Sequence, residues 1–139
     1  YTSAYVSDHN QLPPKVLGRY EVLVPLADAD GMAVAGIRSL PLAVPKASYT
    51  AWNPRALGFG PGNLFPLQGA MSPFAVTKSE KLATQDPRLS VEERYANQDA
   101  YVEAVKQASQ RFVKERLLLP EDAERSIERA KADKLSQIK

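Results

Sequence analysis

At 139 residues the chain is long enough for one domain of ordinary size, which would bury about two thirds of its unfolded surface. Its 18 basic and 16 acidic residues leave a net charge of only +2, and no Lys or Arg run tracks a phosphate backbone, so nucleic acid is not an expected partner. No window approaches the ~20 apolar residues of a membrane span, and the absence of cysteine excludes disulfides and thiolate chemistry. The expectation is a soluble chain without a membrane span, with cytoplasmic and secreted or periplasmic locations both open. All seven glycines fall between Gly18 and Gly69, and most prolines between Pro13 and Pro87. The expected organisation is therefore an extended Pro/Gly-rich part over residues 1–77 and an α-helical segment over 78–139.

Residues 1–15 show no period, and Pro13-Pro14 cannot sit in a central strand, so this stretch reads as an arm lying on something else. Arg19 to Leu26 is rich in β-forming residues, and Met32 to Ile37 is a second short apolar run. Between them Asp30-Gly31 is a turn signal, because both residues tolerate positive φ, and a short β-hairpin is expected there. Asp28 and Asp30 are spaced like the first two ligands of a calcium loop. A third oxygen ligand before Gly31 and a glutamate at position twelve are missing, so the turn is the better reading. No metal or cofactor is implied.

Pro41 to Lys46 reads as extended chain pinned by two prolines. The following stretch, SYTAWNPRALGFGPG, places the sole Trp52 between Tyr49 and Phe59, with Asn53 and Arg55 beside it. Glycines allow close backbone approach, and Trp with Asn offers a stacking face and paired donors, so Tyr49, Trp52, Asn53 and Arg55 are the candidate ligand-binding residues. The simpler alternative makes Trp52 the buried anchor of an irregular loop. Pro61 and the absence of GK[ST] exclude a nucleotide loop. Leu64 to Val76 is apolar but broken by Pro66, Gly69 and Pro73, and is expected to pack beneath neighbouring structure.

Two short helices should start with capping boxes, Thr77 with Glu80 and Ser90 with Glu93. A long helix is predicted from Asn97 or Gln98 to Leu117. Tyr101, Val105, Ala108 and Phe112 recur at four, three and four, and Val102, Ser109 and Val113 widen this buried stripe. Pro120 starts a last helix running to about Leu135, with Ala123, Ile127 and Ala130 inward and exposed pairs Glu121–Arg125 and Arg129–Asp133. The chain should end in a helical hairpin.

Three strings, VPLADADGMAVAGIRSLPLAVPKASYTAWNPRA, SPFAVTKSEKLATQDPRLSVEERY and VKERLLLPEDAER, together resemble the C-terminal part of a bacterial group of alpha/beta hydrolase domain-containing proteins. The resemblance spans roughly Tyr20 to Ala130. It implies an α+β fragment that completes an α/β-hydrolase fold in a larger serine esterase- or lipase-like protein, with the remainder of that hydrolase as partner. The family's nucleophile, acid and histidine would then lie upstream of Tyr1, since GxSxG does not occur here. No catalytic residue is assigned. His9 reads as a surface histidine, and a complete enzyme would require it to act with Ser3 or Ser7. The alternative function is a self-standing helical interaction module that docks its 101–113 stripe on a partner.

Overall fold

The computed structural model describes residues 5–19, 21, 23 and 25–135. In chain order the elements are β1 (Tyr5–Asp8), β2 (Lys15–Arg19), α1 (Leu40–Ala43), β3 (Ala47–Thr50), β4 (Ala70–Pro73), α2 (Lys78–Thr84), α3 (Val91–Arg94), α4 (Gln98–Lys114) and α5 (Pro120–Ala132). Two separate antiparallel hairpins, β1–β2 and β3–β4, accompany five helices, which makes the described chain a small α+β protein.

The helical hairpin forms as its periodicity predicts. Asn97 caps α4 by accepting the Ala100 N–H, and the expected stripe of Tyr101, Val105, Ala108, Ser109 and Phe112 is buried. Val44, Tyr101, Val105, Ala108 and Ala130 make one cluster, joined by Leu40, Ala43 and Ile127, so α1 and α5 cover α4. Gln98 adds a connection with no sequence signature. Its amide donates to the carbonyls of Ala130 (2.7 Å) and Asp133 (3.0 Å) and accepts the Leu135 N–H (2.8 Å), which satisfies the open C-terminal end of α5 from the start of α4.

Both long helices stop earlier than periodicity suggests. Arg116 takes a left-handed φ of 62°, its N–H bonds the Val113 carbonyl, and the Leu117 N–H bonds that of Phe112, so a Schellman turn ends α4 at Lys114. The expected Glu121–Arg125 pair is replaced by Arg125–Asp122 at 3.0 Å. The Ser90–Glu93 capping box is complete. At α2 only half of the expected box exists, because the Glu80 carboxylate accepts the N–H of Val76 instead of that of Thr77.

The first half departs further from expectation. The stretch read as an arm folds back on itself, with Val6 opposite Gly18 and Asp8 opposite Lys15; the register slips between Val6 and Ser7. Pro13 and Pro14 occupy the connection, where neither has to donate to a ladder. Pro41 to Lys46 is not simply extended, since α1 precedes β3 with Pro41 in its first turn. Leu64 to Val76 is mostly exposed rather than packed beneath other structure, and only Phe74 is buried. Of the Met32–Ile37 run, Met32 alone is buried. Ser3, and Tyr20, Val22 and Val24 of the expected Arg19–Leu26 strand, lie outside the described residues.

At Asp28–Met32 the expected turn forms, but among the described residues the expected hairpin is reduced to a single bridge between Ala27 and Ala33. Asp28 Oδ1 accepts the N–H groups of Asp30 and Met32, each at 3.0 Å, and Gly31 adopts φ 78°. Asp28 Oδ2 takes the Arg38 guanidinium at 2.8 Å. Burial pushes the Asp28 carboxyl upward, but the Met32 N–H, Arg38 and the Asp30 N–H together hold it below its ordinary value.

This turn is fastened to the helical half by one arginine. Arg94, at the end of α3, grips both carboxylate oxygens of Asp30, with Nη1 to Oδ2 at 2.9 Å and Nη2 to Oδ1. Its guanidinium lies 4.0 Å from the centroid of the buried Phe74 ring. Arg88 approaches the same ring at 5.1 Å. It donates to the Ser48 hydroxyl (2.9 Å), to the carbonyls of Ser72 (3.0 Å) and Pro73 (3.1 Å), and to both oxygens of Asp86. The Ser48 hydroxyl closes the circuit by donating to the Asp30 carbonyl.

Arg94→Ala leaves Asp30 without its partner and uncovers Phe74, and should cost about 3 kcal/mol, as breaking partly buried pairs does. Arg94→Lys should restore only part of it, because an ammonium cannot give two parallel bonds while stacking. Urea unfolding midpoints of the two variants check this.

Acid should loosen the same region. The Arg88 guanidinium holds the Asp86 carboxyl down from an ordinary 3.8 to about 2. The Ser90 N–H and hydroxyl, with Lys81, hold that of Glu93 down from 4.5 to about 2. Both folded values lie below the unfolded ones, so the folded chain binds fewer protons and its stability falls as pH drops from about 4.5 to about 2. The Asp86→Asn/Glu93→Gln double variant should start less stable at neutral pH and show a flatter curve in that window, by urea unfolding at each pH.

Candidate functional site

The β3–β4 ladder runs in register from Ala47↔Pro73 to Thr50↔Ala70. Beyond it the chain continues as an irregular finger over residues 51–69. Pro54 bridges Leu64, the Arg55 N–H bonds the Asn63 carbonyl (3.0 Å), and the Phe65 N–H bonds that of Asn53 (2.7 Å). Gly69 is required at the base, because a Cβ there would stand 2.2 Å from the Thr50 carbonyl oxygen.

The finger carries three of the four candidate binding residues. Trp52 is 54% exposed, so among the described residues it is not the buried anchor of this loop. Asn53 is half-buried and its carbonyl is used in the finger's own pairing, while the Arg55 guanidinium stands 5.7 Å from the Phe65 ring centroid. Leu57 and Phe59 are 87% and 74% exposed, and Leu67 is fully so. A group of large apolar side chains this open exceeds the scattered hydrophobics of an ordinary surface. It can bury itself on another surface or line the edge of an apolar ligand site.

Tyr49, the fourth candidate, lies on β3 opposite Met71 and belongs to a different feature. It borders a recess of about 230 Å³ between α1, β3, α4 and α5, whose lining includes none of Trp52, Asn53 and Arg55. Leu40, Val44, Val105 and Ala130 form its apolar floor; Lys46, Arg129 and Asp133 bring charge to it. Tyr101 also lines it, 9% exposed, its ring edge-on to Tyr95 at 5.2 Å and 5.3 Å from the Lys46 ammonium. Burial pushes the Tyr101 phenol up, and Asp133 and Tyr49 push it further in the same direction. The Tyr95 phenol is also raised, chiefly by burial, and donates to the Pro45 carbonyl at 2.9 Å.

Sequence reasoning treated Tyr101 as core and did not find this recess. The available signal was a tyrosine at a position where leucine or phenylalanine would pack as well, since a buried phenol carries a polar tip that needs a partner.

No described group forms a nucleophile–base pair around His9. His9 is exposed, and Asp8 beside it accepts the Asn10 N–H (2.9 Å) and the Gln11 amide (3.3 Å), bonds that commit it to its own turn. Asp28 and Asp30, the pair weighed as calcium ligands, are each engaged by an arginine.

The sequence profile described as an alpha/beta hydrolase domain matches residues 3–128. No curated protein and no solved structure matches the chain. With the match covering nearly the whole chain, the protein belongs to the alpha/beta hydrolase domain family.

Proposed function

We propose that these residues form a non-catalytic C-terminal segment of a serine hydrolase of esterase or lipase type, which packs on the body of that enzyme and completes its α/β-hydrolase fold. The observation that carries this reading is the family match over residues 3–128 in a chain whose described strands form only two small antiparallel hairpins. A parallel sheet bearing a nucleophile elbow is then supplied by other residues of the enzyme, along with its acid and histidine.

The exposed finger supports the same reading. Trp52, Leu57, Phe59 and Leu67 lose their contact with water if the finger lies on that body, and burying each large side chain is worth about 1.5–3 kcal/mol. Trp52, Asn53 and Arg55 would then reach the rim of the substrate cleft, with Tyr49 behind them at the base of the ladder. The helical interaction module has less support, because the Tyr101–Phe112 stripe it would offer to a partner is already covered by α1 and α5.

In the longer polypeptide, deletion of this segment should abolish folding together with hydrolysis of p-nitrophenyl butyrate. A truncated enzyme that folds and hydrolyses the ester at the intact rate contradicts the reading. In the intact enzyme, Trp52→Ala should change the preference among acyl chain lengths, read as kcat/KM, with the unfolding midpoint held. A lowered midpoint with unchanged preference assigns Trp52 to docking alone.

A further inference from the structure

Asp30 and Arg94 also line a second recess, of about 360 Å³, that the hydrolase reading does not use. Three guanidinium groups reach it from separate parts of the chain: Arg38 from the loop before α1, Arg94 from the end of α3, and Arg111 from the last turn of α4. Like charges around one recess repel each other unless an anion answers them.

The carboxylates at hand are already engaged. Both oxygens of Asp30 go to Arg94, whose Nε donates to the Leu89 carbonyl at 3.0 Å, so that guanidinium is fully used. Asp28, which is not in the lining, spends Oδ1 on its own turn and Oδ2 on Arg38 Nη2 at 2.8 Å. Two carboxylates therefore face three guanidinium groups, and one positive charge is left over.

What remains is a surplus of donors. Arg38 uses only Nη2, which also reaches the Leu42 carbonyl at 3.2 Å; its Nε is buried without a partner, and among the described residues its Nη1 bonds nothing. A buried donor left unpaired is uncommon and calls for an explanation. The Arg111 side chain is exposed, lies 4.9 Å from the Phe112 ring centroid and makes no ion pair or hydrogen bond among the described residues. A carboxylate presents two oxygens in one plane and suits a single guanidinium edge, whereas a phosphoryl group offers three oxygens to donors on different walls.

We propose that the recess between the Asp28–Met32 turn, α1 and the last turn of α4 binds a phosphoryl group, held by Arg38 and Arg111 while Arg94 neutralises Asp30. Free phosphate and a phosphomonoester share this chemistry. The inference rests on the recess alone, so it stands or falls separately from the proposed enzymatic role.

Inorganic phosphate is the probe, titrated into the 139-residue chain at neutral pH and fixed ionic strength and followed by amide chemical-shift changes. Saturable binding with a Kd of about 1 mM or tighter is expected, with shifts centred on Arg38, Ala43 and Arg111, and phosphate should raise the thermal midpoint above that in chloride. Acetate should bind several-fold more weakly. Arg111→Gln and Arg38→Lys should each weaken phosphate binding several-fold, whereas Arg125→Gln, the same loss of charge on the exposed face of α5, should leave it unchanged. Methyl phosphate separates the two sources: tighter binding than phosphate assigns the site to a monoester, weaker binding to the free ion, and either sustains the proposal. No saturable shift, shifts mapping elsewhere, equal affinity for acetate, or the same loss in Arg125→Gln as in Arg111→Gln would overturn it.

Discussion

The grip of Arg94 on Asp30, made while the same guanidinium lies on Phe74, is the ion pair that joins the two halves of this chain, alongside the apolar cluster in which Val44 meets α4 and α5. The first half has turns and ladders but little interior: of its described residues only Met32, Val44, Ala47, Ser48 and Phe74 are buried, and Phe74 lies under the Arg94 guanidinium. A guanidinium suits the position because its plane stacks on an aromatic face while its edge meets a carboxylate with two bonds. Arg88 repeats the arrangement one turn of chain away, holding Asp86 at its edge and the carbonyls of Ser72 and Pro73 beyond. Charge here serves assembly, since every carboxylate in the circuit is engaged by an arginine, and none is left as an acid or base.

Around that joint the molecule presents two unlike surfaces. The recess at Tyr101 is small, half apolar and lined with donors, while the finger beyond Thr50 and Ala70 is an open apolar projection. Grouping Tyr49 with Trp52 joined these two features because the residues are three apart in sequence. The ladder separates them: Tyr49 stays with the helices, and Trp52 leaves with the finger. On the proposed reading, as a segment of a larger hydrolase, the finger has a reason to be apolar, because such a segment need not be comfortable in water by itself.

How much could be read beforehand follows the range of the interactions. The stripe on α4, the cap at Asn97, the Ser90–Glu93 box and the Asp30–Gly31 turn are all set by residues within four positions of each other, and all appear in the structure. The Arg94–Asp30 contact joins residues 64 apart, and nothing near either one announces it. The β1–β2 hairpin was missed because its pairing spans a proline-rich connection without a two-residue turn signal. Leu64 to Phe74 shows the limit of hydropathy, which signals that a segment needs covering without saying which surface covers it. Only Phe74 found cover within the chain; Leu67 and its neighbours did not.

The claim at the centre of this account is that the finger is a docking surface completed by the rest of the hydrolase. Trp52 is the sole tryptophan of the chain and stands on that finger, so it reports there directly. Acrylamide quenching of its emission, compared between the 139-residue chain and a longer polypeptide carrying a single tryptophan at this position, is the measurement to make. The account predicts strong quenching in the isolated chain and shielding in the longer protein; equally strong quenching in both would contradict it.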